Sequence, residues 1–187
     1  MKHVIKYFSL SLLMLLFSAT SFAQEKAEAA KFEKPILISS AGQSADVKLI
    51  GMLAKKQNID VTIEKTATES NLDGVKTLIF VPGFSSKGLG AAGISQEEEM
   101  ERVVKLVAAA NEKKIPIVVL HIGGNARRKG QSDAFNKLVS ESAKHIIVVA
   151  QGNEDNFFTE ISETSNIPLE VVNKISEVGA PFAKLFE

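Results

Sequence analysis

The sequence predicts an α/β fold: a three-layer sandwich around a doubly wound, mostly parallel sheet of five or six strands. Two observations predict it. Short runs rich in Ile and Val alternate with longer stretches of helical period. Four of those runs are almost continuously apolar, as strands covered on both faces must be. None of the 187 residues is a cysteine, so the core holds together by packing, without disulfides.

Taken in order, residues 1–23 read as an export signal. Lys2 and Lys6 give a basic start, "SLSLLMLLF" an apolar centre, and Ser21-Phe22-Ala23 a small-x-small cleavage site before Gln24. The apolar centre is shorter than the roughly 20 residues of a membrane span. An uncleaved N-terminal anchor is the alternative, and the lack of cysteine excludes lipoprotein attachment. The expected location is therefore exported, in a periplasm or secreted. Residues 24–33, "QEKAEAAKFE", form a polar leader, and 34–187 a single α/β domain.

"PILIS" (35–39), "TLIFV" (77–81), "IPIVVLHI" (115–122) and "HIIVVA" (145–150) are the buried strands. "DVTIEK" (60–65) alternates and suits an edge, and "IPLEVV" (167–172) is a sixth strand. Between them, Val47, Ile50, Leu53 and Ala54 share one helical face, and Met100, Val103, Val104 and Val107 another. Ser95 and Glu98 form a capping box that starts the second of these helices. Further helices fit 133–143, 154–165 and 173–185, the last kinked or shortened by Pro181. Strand order 2-1-3-4-5, of Rossmann or flavodoxin type, is expected.

Charge excludes some partners. Removing residues 1–23 takes two of 22 basic side chains and none of 22 acidic ones, leaving a small negative balance. Nothing there points to nucleic acid.

Sheets of this class bind ligands beyond the carboxyl ends of their strands, where strand order reverses. The unusual loops all fall at those ends: "SSAGQS" (39–44), "PGFSSKGLGAAGIS" (82–95), "GGNARRKGQS" (123–132) and "QGNED" (151–155). Arg127, Arg128 and Lys129 offer fixed positive charge, and guanidinium forks match carboxylate or phosphate oxygens. Gly123 and Gly124 allow a tight turn with bare N–H groups beside them. Adjacent side chains seldom point the same way, so one of the two arginines is expected to be structural. The alternative for both is solvation, or pairing with Glu154, Asp155 or the acids at 97–99.

Ser40 and Gln43 are candidate contacts to ligand oxygens, with Ser44 as a helix N-cap. "GLGAAG" (88–93) matches G-x-G-x-x-G but follows the third strand and ends before the helix cap, so a dinucleotide site is not expected there. Its expected role is a flexible flap, with Lys87 reaching a ligand anion. His121 ends the fourth strand and is a weak candidate for acid or base; a structural histidine is the favoured reading. With His3 and His145 as its only fellows it makes no metal site, and no metal or cofactor is expected.

"ILISSAGQSADV", "GFSSKGLGAAGIS", "HIGGNARRKGQSD" and "GNEDNFFTEI" followed by "IPL" together resemble an uncharacterised family of exported bacterial proteins, domain of unknown function family 6305. The resemblance covers residues 34–187 in order. One departure is local: a glycine commonly follows the two arginines directly, whereas this chain has Lys129 before Gly130. The resemblance implies a shared fold and a shared edge of motifs, and no mechanism.

Three functions follow as expectations. The first is binding of a small anionic solute, of carboxylate or phosphate type, by Arg127 or Arg128 with Ser40, Gln43 and Lys87. The second is a hydrolase or lyase on an anionic substrate, with His121 as acid or base and Arg128 stabilising developing charge. The third is an interaction module whose loop edge, around Phe84, Leu89 and Ile94, docks on an exported or membrane-transport partner.

Overall fold

The computed structural model describes residues 32–187. The signal and most of the polar leader, residues 1–31, lie outside the described residues. Six strands form one sheet: β1 (Ile36–Ala41), β2 (Thr62–Ile63), β3 (Thr77–Pro82), β4 (Ile117–His121), β5 (His145–Val149) and β6 (Leu169–Val172). Their order is β2-β1-β3-β4-β5-β6, and every neighbouring pair is parallel. Six α-helices accompany them: α1 (Asp46–Lys56), α2 (Ser86–Ala92), α3 (Gln96–Glu112), α4 (Gln131–Glu141), α5 (Phe157–Ser165) and α6 (Gly179–Lys184).

Side-chain alternation divides each central strand between two cores. Leu37, Leu78, Phe80, Ile117, Val119, Ile146 and Val148 face the core built with α3, α4 and α5. Ile36, Ile38, Ile79, Val81, Val118, Leu120 and Ile147 face the core built with α1 and α6. That is why those strands read as continuous apolar runs: both faces are covered. Both cores are assembled from residues between Phe32 and Leu185. The chain runs from β1 to β2 on one side and then returns to β3 on the other. The switch point therefore lies between β1 and β3.

Three expectations on local structure need correction. The second strand keeps only Thr62 and Ile63, both exposed, because it pairs on one side alone. The glycine-rich flap is instead α2. Ser85 caps its start, its hydroxyl accepting from Gly88 N (3.1 Å), and Gly93 in the left-handed region (φ 70°) ends it. The buried face of α3 is Glu99, Val103, Leu106, Val107 and Ala110, so Val104 points outward, 46% exposed. The last helix is shortened, as expected, to α6, and Pro181 stands near its start, where a missing N–H costs little. The capping box forms as expected, with reciprocal bonds between Ser95 and Glu98.

Candidate functional site

The loops after β1, β3, β4 and β5 meet at one rim, and short-range bonds zip them together. Gly83 N donates to Ala41 O (2.9 Å), Ser44 N to Gly83 O (3.1 Å) and Ser85 N to Gly42 O (2.8 Å). A side chain on Gly42, at φ 102°, would stand 2.7 Å from Gly83 O. On Gly88 it would stand 2.0 Å from Gln43 O. These two glycines are there because backbone meets backbone. The rim also holds Ser132, whose hydroxyl accepts from Phe84 N (3.1 Å), and Ser44, whose hydroxyl accepts from Asp46 N (3.0 Å); the N-cap of α1 is Ala45, one residue after the expected Ser44.

Beneath the β1 loop lies a buried ion pair. Glu99, wholly buried, accepts from Gly42 N (2.8 Å), Gln43 Nε2 (3.1 Å), Arg102 Nε (2.8 Å) and Arg102 Nη2 (2.8 Å). Arg102 also donates to Ala67 O and Ser40 O, both at 2.7 Å. A buried charge survives only when its oxygens or N–H groups are matched in this way. The pair fastens α3 to β1 and to the segment after β2. Sequence reasoning missed it, offering the acids at 97–99 only as alternative partners for Arg127 and Arg128, whereas Glu99 pairs with Arg102. The signal was present: Glu99 sits on the same stripe as Val103, Leu106 and Ala110.

At the other end of the rim, Arg128 is enclosed, its side chain 4% exposed. It donates to Asp133 through Nε (2.8 Å) and Nη2 (3.3 Å), and to Asp155 through Nη1 (2.9 Å) and Nη2 (3.0 Å). Nη1 also donates to Gly152 O, and the guanidinium lies 4.2 Å over the Phe157 ring. Burial opposes the charges, yet the hydrogen bonds to its carboxylates leave Arg128 above its ordinary range. Asp133 is held below its ordinary value by bonds from Arg128 and Asn136 that outweigh its burial. Asp155 is lowered chiefly by its bond from Arg128.

Arg127 points elsewhere. Its stem passes between Gly83 and Gly123, where added side chains would lie 2.9 and 2.0 Å from its carbons. Nη1 donates to Phe84 O (2.9 Å), and Nε stands 3.5 Å from Asp46 Oδ2. The side chain is 27% exposed. Lys87, in the first turn of α2, and Lys129, at φ 64°, are exposed without an ion pair among the described residues. The left-handed backbone at Lys129 is the conformation that a glycine takes freely.

The structure thus gathers the four loops, but only part of the expected set can meet a ligand. Ser40 is wholly buried and its hydroxyl has no partner; Gln43 is buried on Glu99 and on Lys65 O. Gly123 lies under Arg127, Gly124 is buried, and Arg128 is saturated by protein acceptors. Arg127 and Lys87 face outward.

His121 is wholly buried, tilted against Phe158 with ring centroids 4.8 Å apart. A side chain on Gly152 would stand 2.6 Å from the ring. Nε2 donates to Arg127 O (3.1 Å), which also accepts from Asn136 Nδ2 (2.9 Å). Burial pushes its pKa down to about 4. A neutral histidine that holds the arginine turn in place, with no face on a cleft, is not placed for acid–base work. Phe84 is half-buried, Leu89 buried and Ile94 half-buried, so that edge presents no broad apolar patch. No group of three or more His, Cys, Asp or Glu fit to hold a metal occurs among the described residues, and no described helix is long and apolar enough to cross a membrane.

Comparison with known proteins adds a family match and some distant likenesses. The profile of the family described as "Domain of unknown function (DUF6305)" matches residues 33–186. No curated protein matches by sequence. Among solved structures, a putative acylhydrolase from Bacteroides fragilis is 12% identical, with 82% of this chain and 76% of that chain covered and a TM-score of 0.33. The psychrotrophic esterase EstA from Pseudoalteromonas sp. is 16% identical over 73% of this chain and 76% of that one, TM-score 0.31. AlinE4, an SGNH-hydrolase family esterase, is 14% identical over 84% and 85%, TM-score 0.30. Likeness this slight carries no chemistry over to the present chain.

Proposed function

Since the chain belongs to DUF6305, a domain family of unknown function, we propose from its own rim that it is an exported protein binding a small anion of carboxylate or phosphate type. The observation that carries this reading is the contrast between the two adjacent arginines. Arg128 has acceptors for all its N–H groups, whereas Arg127 keeps 27% of its side chain in solvent and has one long carboxylate contact, at 3.5 Å. A guanidinium held by a carbonyl on one side and open on the other is ready to take two anion oxygens. Lys87 and Lys129 add unpaired positive charge from the neighbouring turns. Ligand binding here is shallow, over Arg127, rather than in the deep cleft that Ser40 and Gln43 would have lined. A hydrolase or lyase working through His121 is not favoured, because that ring is enclosed.

The test is calorimetry of residues 24–187, which contain both cores, against small carboxylic acids, inorganic phosphate and phosphorylated sugars. Saturable binding to one class, weakened at least about tenfold by Arg127→Ala, is expected. Silence across the panel, or affinity unchanged in Arg127→Ala, would refute the reading. Export is part of the same proposal. It predicts that the protein recovered outside the cytoplasm begins at Gln24, and an intact N-terminus by mass spectrometry would contradict it.

A further inference from the structure

Two outward helix faces carry apolar side chains that the folded domain does not cover, and their flanking charges are opposite. On α1, Val47, Ile50 and Ala54 point inward, which leaves Lys48, Leu49, Met52, Lys55 and Lys56 on the outer stripe. Met52 is 67% exposed and Leu49 39%. Ile63 on β2, 43% exposed, packs beside Gly51 and extends the apolar strip. None of these three lysines has an ion pair among the described residues. On α3, Gln96, Glu97, Met100, Glu101 and Val104 line a groove of about 430 Å³. Glu97 there has no ion pair, and Glu101 pairs with Lys105 on the same helix.

Lys55, Lys56 and Glu97 have a local cause, since lysines suit the last turn of a helix and glutamates the first. The apolar residues between them have none. Spacing matches if the helices run antiparallel. Leu49, Met52 and Lys56 then fall opposite Val104, Met100 and Glu97. A parallel arrangement would set Leu49 against Glu97 and Lys56 against Val104. Because α1 and α3 cover opposite faces of the sheet, one molecule cannot join its own two stripes.

We propose that α1 of one copy docks antiparallel in the α3 groove of a second copy, so that the protein associates head to tail. The contact is heterologous and leaves a free stripe at each end, which permits chains longer than two. Two helical faces fall short of a standard interface of roughly 1,600 Å², so association is weak and rises with concentration.

Sedimentation velocity of residues 24–187 from micromolar to submillimolar concentration tests this, with circular dichroism to confirm folding of each variant. The expected result is an average mass that climbs above one chain. Met52→Glu, which blocks the α1 face, and Val104→Lys, which blocks the α3 face, should each abolish the climb. Their equimolar mixture should restore a dimer and nothing larger, since each variant keeps one good face. A wild-type protein that stays monomeric throughout overturns the proposal. So does self-association that survives either substitution, or a mixture that stays monomeric.

Discussion

Arg102, beneath the β1 loop, and Arg128, at the β4–β5 end of the rim, each hold a carboxylate in two places, yet they sit in different surroundings. The partner of Arg102 is wholly buried Glu99, and its other bonds go to carbonyls of β1 and of the segment after β2. The partners of Arg128 are Asp133 and Asp155, whose side chains are 25% and 48% exposed. One is a strut inside the core and the other a clasp at its edge. The difference teaches what a positive residue on a ligand-bearing rim need not be: both arginines are saturated by the protein, and only Arg127 remains half open to solvent.

Substitutions should separate strut from clasp, and the strut should give the larger effect. Glu99→Ala removes one member of a buried pair and strands the other. Urea unfolding of this variant should show a loss of about 3–5 kcal/mol. A loss below about 1 kcal/mol would mean that the pair behaves as a surface contact. Arg128→Ala should lose less, about 2 kcal/mol, since the aspartates it leaves can take up water.

That clasp has a pH signature. Asp133 and Asp155 titrate below their ordinary value in the folded protein. Their contribution is therefore present above the ordinary carboxylate range, and is lost as pH falls through their lowered folded values. Thermal unfolding scanned through that acid range should show a shallower decline in Arg128→Ala than in wild type. Parallel declines would separate these carboxylates from Arg128.

A smaller effect distinguishes glycines within α2. Alanine favours a helix over glycine by about 1 kcal/mol, yet Gly88→Ala would press a methyl into Gln43 O. It should destabilise by about 1–3 kcal/mol. Gly90 has nothing within 4 Å of an added methyl, so Gly90→Ala should stabilise by up to about 1 kcal/mol. Equal effects of the two in thermal unfolding would remove close approach as the reason for Gly88.

Much of the fold was legible because it rests on periodicity. Strands buried on both faces and the Ser95–Glu98 box announce themselves within a few residues. What was not legible depends on partners far along the chain. Glu99 looks like its exposed neighbours until Gly42, Gln43 and Arg102 close around it. The α2 stretch looks like a flap because glycine weakens helices, but caps at both ends and contact with Gln43 outweigh that preference. Likewise, the sequence shows three adjacent cations and three glycines without showing that Gly123 makes room for the Arg127 stem. Nor does it show that Asp133 and Asp155 close on Arg128.

The contrast between neighbouring arginines can be read directly by nitrogen-15 NMR of the guanidinium Nε–H groups during titration with phosphate and with a small dicarboxylate. Saturable movement of the Arg127 signal, with that of Arg128 still, is the predicted result for at least one of the two anions. Movement at Arg128 first, or no saturable change at either arginine, would contradict it.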